Sequence, residues 1–420
     1  MEILILTNLF PKPEKPFSTA FITNRLFKLQ TLGNTCTVYA LSFKNSFLLD
    51  SLNRIKEKRT YSTSNSLTVR GISYNYERIP RNAISLVLEK FNNENAYTAY
   101  CRKFTHKIEN QSLNGHFDIV HAHGMYEPAP AGLVAMLLAE KIGVPFVITL
   151  HGSDVNYVME KRKELYISVF EKASACIFVS KALLRKAMSY GYSGQNSVVI
   201  PNGYDPELFK PLDKDIVRRD IGVYKTGFKY VGFVGDLKLV KRADKLPNIF
   251  KNIAQEVQNT KFIVVGDGDF RKRIESDTKD LDITFTGQIP NPEVPRWMNA
   301  MDVMILPSRD EGFGTVIIEA QACGTCVVGS SNGGIPEAIG FEEYVVKDGD
   351  DFEERIADKV VEILRNGYDP ERLINKAANF TWENIVKKEV EVYREVIERN
   401  DKPLRDEGFA NSSTELRKGE

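Results

Sequence analysis

The chain has 420 residues, too many for one ordinary hydrophobic core, and a globular composition of 42% hydrophobic and 27% charged residues, so two domains are expected. Its formal net charge of zero argues against a general nucleic-acid binder. The zero hides an asymmetry: residues 1–200 carry 24 Lys and Arg against 15 Asp and Glu, and the remainder carries 32 against 41. Such a basic first half either faces an anionic membrane or an acidic partner, or is ordinary surface charge.

The chain opens with MEILILTNLF, which is short, lacks a basic flank and runs into polar residues, so it does not read as a signal peptide. No run approaches the roughly 18 consecutive apolar residues that span a bilayer. Apolar runs of strand length follow at 2–8, 36–41, 68–74, 117–124, 145–152, 175–180 and 197–203, with helical segments such as AGLVAMLLAEKIG (131–143) between them. A polar, proline-containing stretch after Asn202-Gly203, YDPELFKPLDKD, reads as a linker. The pattern then restarts at 230–237, 261–268, 283–287, 303–308 and 326–331. Buried apolar strands alternating with helices imply parallel sheets covered on both faces. The expected class is therefore α/β, with two doubly wound domains at 1–203 and 204–381 and a binding cleft between them. WENIVKKEVEVYREVIERN (382–400) has the apolar spacing of an amphipathic helix, and the polar 401–420 reads as a disordered tail.

The first half places polar residues after two of its strands: HAHG (121–124) and TLHGSD (149–154) bring His121, His123, His151, Ser153 and Asp154 to one strand-end crevice. A three-histidine metal site is conceivable there. His121 and His123 are read as alternating across the strand onto opposite faces, which disfavours metal and leaves polar contact to a ligand, or acid–base work by His151.

The second half holds the strongest candidate chemistry. SRDEGFGTVIIEAQACG (308–324) puts Glu311 in a loop at a strand's carboxyl end and Glu319 in the following helix. Gly312 and Gly314 let backbone amides approach a ligand, and a helix N-terminus favours a phosphate. Carboxylates beside a phosphate site suit the hydroxyls of a sugar or ribose. A hydrolytic acid–base pair and a solvated helix end are the alternatives. YVGFVGDLKLVKR (230–242) adds Gly235, Lys238, Lys241 and Arg242 at another strand end, fit for a diphosphate or simply a solvated basic turn. SSNGGIPEAIG (330–340) opens a further helix and reads as a second possible anion site. KFIVVGDGDFRKR fails as a dinucleotide fingerprint because Arg271 takes the third glycine's place. The five cysteines are dispersed, so a reducing, cytoplasmic compartment is expected, and Cys323-x-x-Cys326 reads better as packing than as a zinc or redox pair.

Taken together, DEGFGTVIIEAQACGTCVVGSSNGGIPEAIG (310–340), FVGDLKLVK, VVGDGD, FTGQIP, HAHG, TLHGSD, VSKALL and VIPNGYD resemble the retaining glycosyltransferases of family 4, the group 1 type, over roughly residues 1–400. The resemblance implies a GT-B fold, two Rossmann-like domains facing across a cleft, with the last helix crossing back to the first domain. It implies transfer of a hexose from a nucleotide-diphospho-sugar to a glycan or lipid-linked acceptor, in cell-envelope or exopolysaccharide synthesis, with no metal and no cofactor. A nucleotide-sugar epimerase or hydrolase, or a degenerate sugar-nucleotide-binding protein, is the alternative on the same fold. By the resemblance, Glu311 contacts the transferred sugar, Glu319 the ribose, and the amides around Phe313, Gly314 and Thr315 sugar and phosphate. Lys241 neutralises the diphosphate, and His151 reaches in from the first domain, with His123, Ser153 and Asp154 on the acceptor side. Asp236 stands where the family usually has arginine, so it is expected to point away, with Lys238 or Arg242 supplying the missing cation. The loop NLFPKPEKPFSTAF (8–21) departs from the family's Gly-Gly turn. The basic half adds an expected peripheral contact with the inner face of the membrane.

Overall fold

The computed structural model describes residues 1–12, 19–45, 65–81, 94–112 and 115–401. The middle of the departing loop, 13–18, and the expected tail from 402 onward lie outside them.

The described strands form two sheets. The first contains β1 (Glu2–Thr7), β2 (Thr35–Asn45), β3 (Ser66–Val69), β4 (Ile72–Arg81), β5 (Ile119–His123), β6 (Phe146–Leu150), β7 (Ala175–Phe178) and β8 (Ser197–Val199). Their order is β3-β4-β2-β1-β5-β6-β7-β8. All neighbours are parallel except β3 and β4. β5 and β6 are buried along their whole length, as strands covered by helices on both faces must be. The run 68–74, expected as one strand, is instead a hairpin turn with its flanks. Arg70 and Gly71 both take positive φ, 52° and 79°, the geometry of a two-residue hairpin turn, and the chain reverses there.

The second sheet contains β9 (Lys229–Val234), β10 (Thr260–Val265), β11 (Ile283–Gly287), β12 (Val303–Leu306), β13 (Cys326–Ser330) and β14 (Val345–Val346), in the order β11-β10-β9-β12-β13-β14 and parallel throughout. In each sheet the strand order reverses beside the first strand, at β1/β5 and at β9/β12. The crevice beyond the carboxyl ends of strands at such a reversal is where doubly wound sheets bind ligands.

Two chain connections run side by side between the halves. The Tyr204 N–H donates to Phe380 O (2.9 Å) and the Trp382 N–H to Tyr204 O (3.0 Å). A Cβ on Gly203 would lie 2.9 Å from Trp382 Cα, so only glycine fits the crossing. The final helix, Trp382–Asp401, then lies on the first half. It buries Trp382, Ile385, Val386, Val390, Tyr393 and Val396 among Ile3 and Ile5 of β1 and Ile22 and Leu26 of the Ala20–Thr31 helix. That stripe recurs every three or four residues, the spacing that puts side chains on one helical face. Glu389 sits in the same stripe and is fully buried.

Candidate active site

The loops after β9 and β12 meet at the second sheet's reversal point. The Arg309 N–H donates to Val240 O (2.9 Å), tying one loop to the other. Across that tie Lys241 Nζ donates to Glu311 Oε1 in a close ion pair that is largely shielded from water. The helix Thr315–Ala322 begins at Gly314, which has φ of 87° and offers no side-chain cap. The Ile317 N–H turns back to Gly314 O (2.9 Å), which leaves the Thr315 and Val316 amides, without a partner among the described residues, open to an anion. Thr315, Val316 and Glu319 form its less covered stripe, while Ile317, Ile318, Ala320 and Gln321 are buried. Glu319 makes no side-chain hydrogen bond or ion pair with any described residue, and burial pushes its carboxyl up to about 7.

The first half contributes the loop after β6. Asp154 is fully buried and accepts from the backbone N–H groups of His151 (3.1 Å), Gly152 (2.8 Å) and Val155 (3.0 Å), so it shapes the loop rather than facing a ligand. Ser153 is exposed beside it. His151 lies partly exposed, its ring 5.1 Å from that of Phe21. His151 Nε2 is 3.3 Å from His123 Nδ1, and His151 Nδ1 has no partner among the described residues. Burial and the nearby Arg25 charge hold the histidine pKa values of this cluster well below the usual range, so the rings are neutral at physiological pH.

The two loops touch. A Cβ on Gly312 would come within 2.0 Å of His151 O, and one on Gly152 within 3.0 Å of Gly312 Cα. The Tyr157 hydroxyl donates to Asp310 Oδ2 (2.8 Å) across the same gap. Glu311 and His151 thus stand on facing loops of one cleft.

Residues 29–208 match the model of Glycosyltransferase Family 4, and residues 228–366 match that of Glycosyl transferases group 1. The chain belongs to the family 4, group 1 glycosyltransferases. TuaC of Bacillus subtilis, named for teichuronic acid biosynthesis, is 27% identical over 364 residues, covering 82% of this chain and 85% of its own. A D-inositol 3-phosphate glycosyltransferase of Catenulispora acidiphila is 29% identical over 317 residues, 68% of this chain and 73% of its own. Among solved structures, sucrose-phosphate synthase of Thermosynechococcus elongatus superposes with a TM-score of 0.70 at 18% identity, covering 95% of this chain and 100% of that one. HepE of Anabaena, in complex with UDP and glucose, superposes at 0.66 with 19% identity, covering 94% and 100%. The fold is GT-B.

In this glycosyltransferase several residues stand where the sequence did not put them. His121 and His123 share one face of β5, because residues two apart in a strand point the same way, and their rings lie 4.2 Å apart. His121 is taken up elsewhere: its Nδ1 is 2.5 Å from the Tyr393 hydroxyl and its Nε2 is 2.8 Å from Thr149 Oγ1. No cluster of His, Cys, Asp and Glu among the described residues is arranged to hold a metal ion. His123 is fully buried beneath His151, so it reaches the cleft only through that ring. Phe313 is buried against Phe380, ring centroids 5.7 Å apart, which leaves its amide rather than its ring for a ligand.

The cations also differ in their freedom. Arg242 is buried, ion-paired with Asp348 and stacked 4.5 Å over Phe352, so it is withdrawn from the cleft. Asp236 is exposed and paired with Lys238 (2.8 Å), so the two charges at the departed position offset one another. Arg309 was not singled out from the sequence. It is exposed, without an ion pair among the described residues, and its place between a strand end and Glu311 was the available signal.

Two glycine motifs serve packing. A Cβ on Gly266 would lie 2.0 Å from Gly235 O, and one on Gly268 2.6 Å from Leu237 O, so VVGDGD makes room for the lysine-bearing loop. Gly333 and Gly334 press on the carbonyls of Glu311 and Gly312, each 2.3 Å from where a Cβ would stand. The helix they open, Ile335–Ile339, has one turn and a half, too little for an anion site of its own. Cys323 and Cys326 are buried free thiols, pushed up to about 12 by burial.

Proposed function

We propose that the protein is a retaining hexosyltransferase that moves a sugar from a nucleotide-diphospho-sugar to a glycan or lipid-linked acceptor in cell-envelope or exopolysaccharide synthesis. The observation that carries this reading is the pairing of Lys241 with Glu311 beside an uncapped helix start, with Glu319, one turn further on, unpartnered among the described residues. A diphosphate entering here takes Lys241 and the open amides, while the ribose hydroxyls donate to Glu319. Glu311, released from Lys241, then lies beside the sugar, where its charge stabilises an oxocarbenium-like centre. The acceptor hydroxyl attacks the anomeric carbon on the face from which the diphosphate leaves. The carbon–phosphate-oxygen bond breaks as the new glycosidic bond forms, and the departing phosphate oxygen takes the hydroxyl proton. Neutral His151 contributes a hydrogen bond from the opposite wall. Lys241 and the helix amides meet the leaving charge, joined by Lys238 once it turns from Asp236, so activity is expected to persist in EDTA.

HepE holding UDP and glucose, and TuaC's name, support the donor class and the envelope setting. No described helix is long and apolar enough to cross a membrane. The proposed place of work is the cytoplasm at the inner membrane face, reached through the basic first half. Flotation with anionic vesicles tests that contact, and a protein that stays at the bottom of the gradient removes it.

The donor test is thermal stabilisation by UDP-, GDP- and ADP-sugars, in wild type and Glu319→Ala. A ligand at a hundred times its Kd adds about 2.7 kcal/mol to the folded state. UDP-sugars are expected to raise the wild-type Tm and to lose most of the effect in the variant. No stabilisation by any of the three at millimolar concentration would sink the donor assignment. Product analysis with and without acceptor then separates transfer from epimerisation or hydrolysis.

A further inference from the structure

Glu337 lies in the first turn of the Ile335–Ile339 helix, in the second half of the molecule, yet its carboxylate serves a helix of the first half. The Lys181 N–H donates to Glu337 Oε2 and the Ala182 N–H to Glu337 Oε1, each at 2.8 Å. These are the first two amides of the nine-residue helix Lys181–Ser189. The next two are met locally: the Leu183 N–H donates to Ser180 Oγ (3.1 Å) and the Leu184 N–H to Ser180 O (3.2 Å). Four amides at a helix start have no partner within the helix. Here one, that of Leu183, is capped by the N-cap hydroxyl and two by a carboxylate from across the cleft, while the Leu184 bond is the first of the helix itself. Charge-assisted bonds to a carboxylate are stronger than neutral ones, and the helix dipole favours an anion at this end.

The other end of the connection is the ligand loop. The Gly334 N–H donates to Glu311 O (3.0 Å), and Gly333 and Gly334 pack so closely on residues 311 and 312 that a side chain fits at neither. Gly312 abuts His151 in turn. Glu337, the 333–334 turn and the 311–312 loop therefore move as one piece, and where Glu337 docks sets where Glu311 stands relative to His151.

We propose that Glu337 is a positioning residue: by capping the Lys181–Ser189 helix it holds the two halves at the separation at which Glu311 and His151 face one substrate. The proposal rests on the glycosyltransferase reading for its catalytic consequence and on geometry alone for the docking. The test uses the full chain and two variants. Glu337→Gln keeps the side-chain size but turns an amide donor toward one of the N–H groups. Lys181→Pro removes one N–H from the other partner, at a first helical position where proline is tolerated and after a residue already extended (Ser180, φ −157°). Small-angle scattering is recorded with and without UDP, alongside Tm and steady-state kinetics with a UDP-sugar.

Both variants are expected to show a larger radius of gyration and a kcat lower by about tenfold, the worth of one charge-assisted hydrogen bond, with donor KM and Tm close to wild type. A scattering profile identical to wild type in both variants overturns the docking role, whatever the activity. A larger radius with unchanged kcat overturns the positioning role. A wild type that transfers no sugar from any donor counts against the glycosyltransferase reading instead, and the scattering comparison still decides the docking.

Discussion

Glu311 and Glu319 are eight positions apart in sequence, yet they meet different environments. Glu311 is neutralised by Lys241, whereas Glu319 is half-buried with no partner among the described residues, and burial pushes its carboxyl up to about 7. A carboxyl raised in the folded state favours the protonated form there, so its stabilising effect is full below about pH 4.5, the unfolded value, and is lost as pH rises toward 7. Glu319→Gln removes that pH dependence. The variant should match wild type in acid and be more stable at pH 8, by on the order of 2 kcal/mol, read as urea midpoints across the range. Donor binding should run the other way. Hydroxyl donors need the carboxylate, so wild-type affinity for a UDP-sugar should rise between pH 5.5 and 8, about tenfold, and stay flat in Glu319→Gln. A flat wild-type profile would mean that Glu319 does not touch the donor. The sequence made the pair visible because a strand end, two glycines and a helix start lie between them. It could not show which carboxylate was already paired, since Lys241 reaches Glu311 only through the fold.

Among the elements, the final helix shows how far pattern reading goes. The stripe from Trp382 to Val396 was legible from spacing, but Glu389 inside it looked like an ordinary polar position. Folding buries it completely and brings Arg25 Nε to 3.4 Å from its Oε2, with the Tyr393 hydroxyl donating to its other oxygen. Since Tyr393 gives its only proton to Glu389, it accepts from His121 Nδ1–H, and His121 Nε2 accepts from Thr149, two residues before His151. Arg25 also donates to Thr149 Oγ1 and Asn202 Oδ1, both at 3.4 Å. The helix is thus bound to the floor of the site by a buried polar network, and its partners come from four distant parts of the chain that no local pattern connects. Removing one member leaves a buried charge uncompensated. Glu389→Ala should lower stability by about 3–5 kcal/mol in a denaturant titration. A loss under 1 kcal/mol would mean that water enters and solvates Arg25. Acid should act on the same region: the depressed histidines contribute stability above about pH 6.5, the unfolded value, and this is lost as pH falls and the unfolded chain takes up protons.

At the scale of the whole molecule, two parallel sheets could be anticipated because their strands are continuous apolar runs bounded by glycine and polar turns. The Arg70-Gly71 hairpin escaped because its two strands lie end to end in one apolar stretch, and only the positive φ values reveal the turn. How closely the halves meet was not legible, because neither Gly312 nor Gly152 carries any mark of the other. Their approach makes a test of whether this closeness is the working geometry. Gly312 needs no unusual φ, so alanine there strains nothing locally; its methyl group simply meets His151 O at 2.0 Å. The cheapest relief is for the two loops to part by an ångström or so, because at this point the contact is backbone against backbone. Misplacing reacting groups by about 1 Å lowers rates on the order of a hundredfold. Gly312→Ala should therefore lose about that much in kcat while its Tm changes little and UDP still binds, since the lysine loop and Glu319 lie wholly in the second half. Wild-type turnover in this variant would show that the halves adopt another spacing during catalysis, and that Glu311 and His151 do not act from these positions.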